Sequence, residues 1–455
     1  MKRTLTLLSI ACATLLGAET ASAQSPEQTW LKDRRYREGA GWRVGDFELH
    51  PGIGADFGYD SNFFLRHSTE DPVQSLRLRV SPHFSVSTLG PQRSEDAPPP
   101  TVNFRFEVGA TYNEYFPVSG TPGDQDRLRS QRNVGGDALV NLDILPQREW
   151  SGNLHAGVGR VIRPTPFPSG PNGSESFNRI NPNAGASLTW TPGSGLLDWM
   201  LGYDFTGTFF ESGFSGLNNV NNEILTRGRW RFLPRTALIY DASFGFIIYP
   251  SPTALPSAKA NSHPLRTRIG VNGLITPSFG ALAMIGWGAS FYDGDDRPDF
   301  DSLLAQAEVK WYFTPPPGAD PLRASAVQSN IAAGFIRDYE DAFIGTYLER
   351  DRGYLRFSYL FGGQFLLVAE AGAGAVVYPS LPTYNLGTDA DTGWTDVRAD
   401  GKLFGEWRIK DWLGVNLDFN YNGYFSQTSL STDPTFSDRL GFQQFTVFGG
   451  ARVFL

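Results

Sequence analysis

Over most of this chain, apolar and polar residues alternate one by one. The alternation comes in segments of about 12–17 residues. Period two puts successive side chains on opposite faces of an extended strand. No stretch after the leader approaches 18 consecutive apolar residues. A membrane-spanning helix needs about 20. The chain is therefore all-β, and if it crosses a membrane it must do so as a closed barrel, because only helices and closed barrels satisfy every backbone group in lipid.

The faces are easily written out. In "IGADFGYD", Ile53, Ala55, Phe57 and Tyr59 share one face, against Gly54, Asp56, Gly58 and Asp60. In "SLRLRVSPHF", Leu76, Leu78, Val80 and Phe84 oppose Arg77, Arg79, Ser81 and His83. "VRADGKLFGEWRI" opposes Val397, Ala399, Leu403, Trp407 and Ile409 to Arg398, Asp400, Lys402, Glu406 and Arg408. A soluble β-protein buries its greasy face and keeps charges off its central strands. Here nearly every strand carries charge, which costs little when the polar face lines a wide, water-filled barrel. The greasy faces then meet lipid.

Strands are expected to start near residues 50, 75, 101, 129, 149, 178, 198, 223, 236, 265, 280, 302, 326, 346, 364, 395, 412 and 441. That makes about 18, with 16–18 in range, and an even number is what bacterial barrels use. The expectation is a transmembrane outer-membrane antiparallel β-barrel. Connections alternate between short turns ("LPQRE", "TPGSG", "LPRT", "TPSFG", "LFGGQ", "IKDW") and long Gly/Pro/Ser/Asn/Asp-rich loops. Short periplasmic turns alternating with long extracellular loops fit such a barrel. "GPQRSEDAPPP" and "TPPPGADPLR" are longer periplasmic connections.

Aromatic residues mark two boundaries, as rings favour the headgroup level. Trp150, Trp190, Trp199, Trp230, Trp311, Trp407 and Trp412 are expected at the periplasmic level. Tyr112, Phe116, Phe209, Tyr249, Tyr292, Tyr378 and Phe425 are expected at the outer level. The chain stops on "FTVFGGARVFL", a final strand with Phe445, Val447, Gly449, Ala451, Val453 and Leu455 on one face. Its ending is similar to the terminal signal of outer-membrane barrels, with Leu in place of the usual Phe.

The first 23 residues read as a signal peptide. Lys2 and Arg3 precede a short apolar core, and Ala21-Ser22-Ala23 predicts cleavage before Gln24. The only cysteine, Cys12, lies inside this segment. The mature chain then has no disulfide and no cysteine metal site. Residues 24–46 read as a periplasmic N-terminal segment that docks a partner, plugs the lumen or serves as a disordered leader. Residues 47–455 are the barrel. Removing Lys2, Arg3 and Glu19 leaves 37 basic and 46 acidic residues, which argues against nucleic acid as a partner.

The candidate lumen lining is rich in arginine: Arg77, Arg79, Arg105, Arg227, Arg229, Arg231, Arg266, Arg268, Arg350, Arg352, Arg356, Arg398 and Arg408, with Glu107, Asp400 and Glu406 among them. Charged rings set pore selectivity, and arginine's fork suits carboxylates and sugar hydroxyls. The same set reads equally well as a charge-paired wall that holds the barrel's shape. No catalytic constellation, metal site or cofactor motif is present. The five histidines are scattered without ligand spacing, and there is no nucleophile elbow. "DGDDRPD" lacks the spacing of a calcium loop and reads as a solvated turn.

"HPGIGADFGYDSNFF", followed by Ser81-Pro82-His83, resembles the β-barrel porin 2 family of outer-membrane barrels. The motif carried is Gly58, Tyr59, Asp60, Ser61 and Asn62. The resemblance implies a conduit for exopolysaccharide or capsule, working with a periplasmic polysaccharide-export protein. Asp60 and Asn62 also suit a role in ordering the first outer loop. The alternatives are a diffusion porin for small anionic or neutral solutes, and a structural or adhesive barrel. Lipid is the surrounding partner in each, and the oligomeric state is left open.

Overall fold

The computed structural model describes residues 39, 41–88, 101–146, 148–162, 178–193, 195–211, 215–251, 259–294, 297–313, 329–342, 346–362, 364–380, 393–426 and 441–455. The stretch read as a signal peptide, most of the expected N-terminal segment and the two long connections expected to be periplasmic lie outside the described residues.

A short strand, β1 (Trp42–Val44), precedes β2 (Phe47–Asp60), β3 (Ser75–Thr88), β4 (Val102–Pro117), β5 (Asn133–Ile144), β6 (Trp150–Val161), β7 (Arg179–Trp190), β8 (Leu197–Phe210) and β9 (Asn219–Leu233). Then come β10 (Thr236–Ile248), β11 (Ser262–Thr276), β12 (Phe279–Tyr292), β13 (Phe300–Tyr312), β14 (Asn330–Asp341), β15 (Tyr347–Phe361), β16 (Phe365–Tyr378), β17 (Trp394–Lys410), β18 (Leu413–Phe425) and β19 (Phe442–Phe454). One helix, α1 (Pro122–Ser130), lies between β4 and β5. Each strand from β2 to β19 pairs antiparallel with the next, and β19 returns to β2 with Phe454 opposite Gly52 and Thr446 opposite Asp60. The result is a closed 18-stranded antiparallel barrel. Its strands begin within four residues of the starts read from the alternation.

The outward face is apolar. Ile53, Phe57, Ile285, Leu355, Val397 and Leu417 point out and are about half exposed. Among the described residues no helix is long and apolar enough to cross a membrane. A barrel with such a coat crosses one with its strands. At the short-turn end the seven tryptophans form an exposed girdle. Trp150 stacks on Trp190 at 5.9 Å, and Phe279 on Trp311 at 6.2 Å.

The loop end differs from the expectation. Phe116 and Phe425 are exposed, but Tyr249, Tyr292 and Tyr378 turn inward. Tyr249 and Tyr292 are buried, and Tyr378 stacks on Trp394 at 4.4 Å. The reason is parity. Tyr292 is an even number of residues from inward Gly288, and Tyr378 an even number from inward Glu370, so both share the lumen face.

β1 forms a hairpin with β2 through Gly45-Asp46, with Val44 opposite Phe47. Gly45 has φ +61, the left-handed conformation this tight turn requires. The hairpin occupies the β2 edge beyond the point where β19 ends. There the Leu455 amide donates to Pro51 at 3.1 Å. The sheet edge at the barrel's closure is thereby covered.

Candidate functional site

Strand parity and register put the sixteen candidate residues on the inner face, with Arg227 and Arg408 exposed there. Arg77 and Arg79 alternate with the lipid-facing Leu78 on β3, and Arg105 and Glu107 with Phe106 on β4. Arg227, Arg229 and Arg231 lie on β9, and Arg266 and Arg268 on β11. Arg350, Arg352 and Arg356 lie on β15, and Arg398, Asp400, Glu406 and Arg408 on β17.

The densest network crosses five strands. Lys310 contacts Glu308 at 2.7 Å on β13. The Tyr354 hydroxyl donates to Glu308 at 2.6 Å, its ring lying over Gly334 of β14. Arg356 pairs with Glu370 at 2.7 Å, and Arg352 with Glu370 at 2.8 Å. Arg352 also reaches Asp400, its Nε at 3.0 Å, and Arg350 lies 3.6 Å from the same carboxylate. Shared carboxylates fix the positions of these guanidinium groups.

Smaller clusters complete the wall. Arg229 binds Asp198, with Arg231 at 4.0 Å. Arg268 binds Asp241 at 3.0 Å, and Arg105 lies 3.3 Å from Glu107. Glu406 takes Arg452 at 2.6 Å and Arg408 at 3.8 Å. Arg77 and Arg79 lie over the Phe448 ring at 4.7 and 4.0 Å, and Arg79 sits 3.6 Å from Asp56. Phe448 points inward opposite Gly58, where a Cβ would stand 2.2 Å from the Val447 carbonyl. Glycine is required at that close approach.

The motif residues build the first loop. Asp60 accepts from the Asn62 amide at 3.0 Å and from Gln444 at 2.9 Å. The Asn62 side chain donates to the Arg66 and Gln443 carbonyls at 2.7 and 3.0 Å and accepts from the Arg66 amide at 2.9 Å. Ser61 exchanges backbone and hydroxyl bonds with Phe445. Tyr59 faces outward beside Phe445, their rings 5.6 Å apart.

Two elements cover the inner wall at the loop end. First, Phe63, Phe64 and Val73 of the loop after β2 form a buried cluster with inward-facing Tyr115 and with Leu128 of α1. Thr121 caps α1 through a reciprocal box with Asp124. Asp124 also pairs with Arg66, one contact being 3.3 Å. Burial works against the Asp124 carboxylate, but the bonds from Arg66 and Thr121 outweigh it and hold its pKa below the ordinary carboxylate value.

Second, the β14–β15 ribbon leans into the lumen. Asp338 accepts from Arg266 of β11 at 3.3 Å, and the Tyr339 carbonyl accepts from the same guanidinium at 2.7 Å. Along the wall β14 and β11 are three strands apart, about 14 Å, so the ribbon must have left the wall to make these contacts. Tyr339 stacks on Phe300 with centroids 4.0 Å apart and donates to the Ala289 carbonyl at 2.7 Å. Asp341 takes the Tyr249 hydroxyl, and Lys259 donates to the Ala342 carbonyl. Burial pushes the Lys259 ammonium's pKa down, and the neighbouring Asp341 opposes that shift.

Sequence reasoning missed Phe448 and Tyr354, aromatic residues on an otherwise polar inner face, and Tyr339, which shares the parity of lipid-facing Phe335 yet is buried. It also missed Lys310, Asp198 and Arg452, whose parity was a readable signal. Among the described residues no group of three or more metal-type side chains converges. Asp293 and Asp299 of the acidic loop are engaged instead by Asn261 and by the Tyr292 amide.

No family model matches the chain, and no curated protein does. The resemblance to the β-barrel porin 2 family therefore rests on its motif alone. Similar solved structures include Pseudomonas aeruginosa OpdQ (TM-score 0.45, 9% identity, covering 90% of this chain and 100% of that one). Acinetobacter baumannii OccAB3 gives 0.46 and 11%, with coverage of 90% and 100%. The outer membrane protein OpdK of P. aeruginosa gives 0.44 and 13%, again with 90% and 100%. The barrel architecture stands on the strand ladder itself.

Proposed function

We propose that the protein is a bacterial outer-membrane channel through which small polar or charged solutes diffuse. The carrying observation is the pairing of a charged inner wall with two inward-folded elements at the loop end. Charge lines the route, while α1 with the first loop, and the β14–β15 ribbon half-way round the ring, narrow its mouth. Such a lumen suits small solutes better than a polymer. The polysaccharide-conduit expectation came from Gly58 to Asn62, and Asp60, Ser61 and Asn62 are engaged in ordering a loop. No further observation speaks for an export partner. In this reading the loop end faces outward, and the tryptophan girdle marks the periplasmic boundary.

The test is liposome swelling with sugars and organic ions of increasing size, together with planar-bilayer conductance. Entry with a sharp size limit is the expected result. Swelling by no small solute, with no conductance, would leave a structural barrel.

A further inference from the structure

The β14–β15 ribbon leaves a break in the wall. The β13–β14 ladder runs from Tyr312 opposite Asn330 to Ala305 opposite Arg337 and stops there. Both strands continue, β13 to Phe300 and β14 to Asp341, yet no register pair joins them above that point. In every other neighbouring pair of the ring the ladder comes within one residue of the loop-end terminus of at least one of its two strands. Between β13 and β14 a side chain takes the place of the missing ladder bonds. Arg337 donates to the Leu303 carbonyl at 3.2 Å and to the Ser302 hydroxyl at 3.2 Å. It is itself held by Glu349 at 2.7 Å and Asp351 at 2.9 Å. An arginine bridge satisfies a carbonyl that lipid could not, but it is a side-chain bridge that rotamer change undoes, unlike a backbone ladder.

The inside of the break and its outer side differ in chemistry. Within the break lie Phe300, Leu304 and Tyr339, all nearly fully buried where the leaning ribbon packs on the inner face of the neighbouring wall, with Tyr347 packed against them. On the outer side Leu303 is half exposed, a lipid-facing residue at the same height as the Arg337 bridge. An aromatic, water-poor lining thus connects through a polar bridge to the membrane face of the barrel.

We propose that this break is a side port, through which a small amphipathic solute exchanges between lumen and outer leaflet. The Arg337 side chain is its latch: once it swings away from Leu303 and Ser302, the apolar body of the solute slides along Phe300, Leu304 and Tyr339. This route goes beyond the axial diffusion proposed above and is separable from it.

The experiment uses the full-length protein with Ser302→Cys and Arg337→Cys together. The sequence's one cysteine, Cys12, lies in the predicted signal peptide, so the pair is chemically clean after export. A short bifunctional thiol reagent bridges the pair, and a reductant releases it. The probe is dansyl-labelled undecanoic acid, supplied to proteoliposomes and followed by its fluorescence change. Ion conductance is measured on the same preparations. The expected result is loss of probe transfer on bridging, recovery on reduction, and unchanged ion conductance. Arg337→Ala, a milder change, should speed probe transfer. Probe transfer that ignores the bridge, or that rises and falls in step with ion conductance, would overturn the side port. So would a wild-type protein that carries no probe. Probe transfer without any ion conductance would instead sink the axial channel and leave the side port standing.

Discussion

Arg356 and Glu370 face each other across β15 and β16 at 2.7 Å, and Arg352 shares the same carboxylate at 2.8 Å. One acid thus holds two guanidinium groups on the lumen wall. Glu370→Gln removes the charge and keeps the shape. The carboxylate is partly exposed to the lumen, so solvent tempers the loss, and a destabilisation of about 1–3 kcal/mol is expected. Thermal unfolding in detergent measures it. The two arginines then present more positive potential, so the reversal potential in a salt gradient should shift toward anion preference. An unshifted reversal potential would mean that ions do not pass this wall.

Asn62 joins the first loop to β19. Asn62→Ala removes the bonds to Arg66 and Gln443. Each contributes about 1 kcal/mol net, so the loop should loosen while the barrel stays whole. Limited proteolysis should nick residues 61–74 several times faster than in wild type, with heat-dependent gel migration unchanged. Equal nicking rates would remove the loop-ordering role.

Acid should release the α1 cover before it affects the barrel. The folded pKa of Asp124 lies below its unfolded value of about 3.9. Its contribution is therefore fully present above that unfolded value. It is lost as pH falls through the folded one. Hydrogen exchange of α1 amides should rise sharply below about pH 4, relative to the barrel strands. Asp124→Asn should show fast α1 exchange already at neutral pH. An acid response that survives in Asp124→Asn would assign it to another group.

The barrel was legible in the sequence because its physics is local. Parity along one strand decides lipid or lumen, and Phe57 beside Gly58, or Leu78 between Arg77 and Arg79, shows it without any partner strand. The lean of β14–β15 was not legible, because it depends on contacts between distant residues. Asp338 meets Arg266 across a separation of 72 residues. Nothing near Tyr339 marks it as leaving the wall. The inward aromatics were hidden for a different reason. Phe448 sits at a lumen parity, but an apolar residue there reads as a flaw in the pattern rather than as a platform for Arg77 and Arg79. Tyr249 and Tyr292 were assigned to the outer girdle from residue type alone, and counting from the nearest inward glycine would have turned Tyr292 around.

The face assignment itself is testable on one strand. Leu417 of β18 points outward and is half exposed, three residues before lumen-facing Asn420. Arginine on the lipid side near mid-membrane costs about 2–4 kcal/mol, while a lumen position is far more tolerant. Leu417→Arg should therefore cut the folded fraction recovered in liposomes and lower the unfolding midpoint in denaturant. Asn420→Arg should assemble like wild type and alter only conductance or ion preference, since it adds a charge beside Asp418, to which the Asn420 amide donates at 3.0 Å. The two substitutions add the same side chain three residues apart, so propensity and size cannot account for a difference between them. If both assemble equally, the greasy face of β18 does not meet lipid. If both fail, β18 is not lined by water on either side, and the lumen at this strand is closed by packing rather than open to solutes.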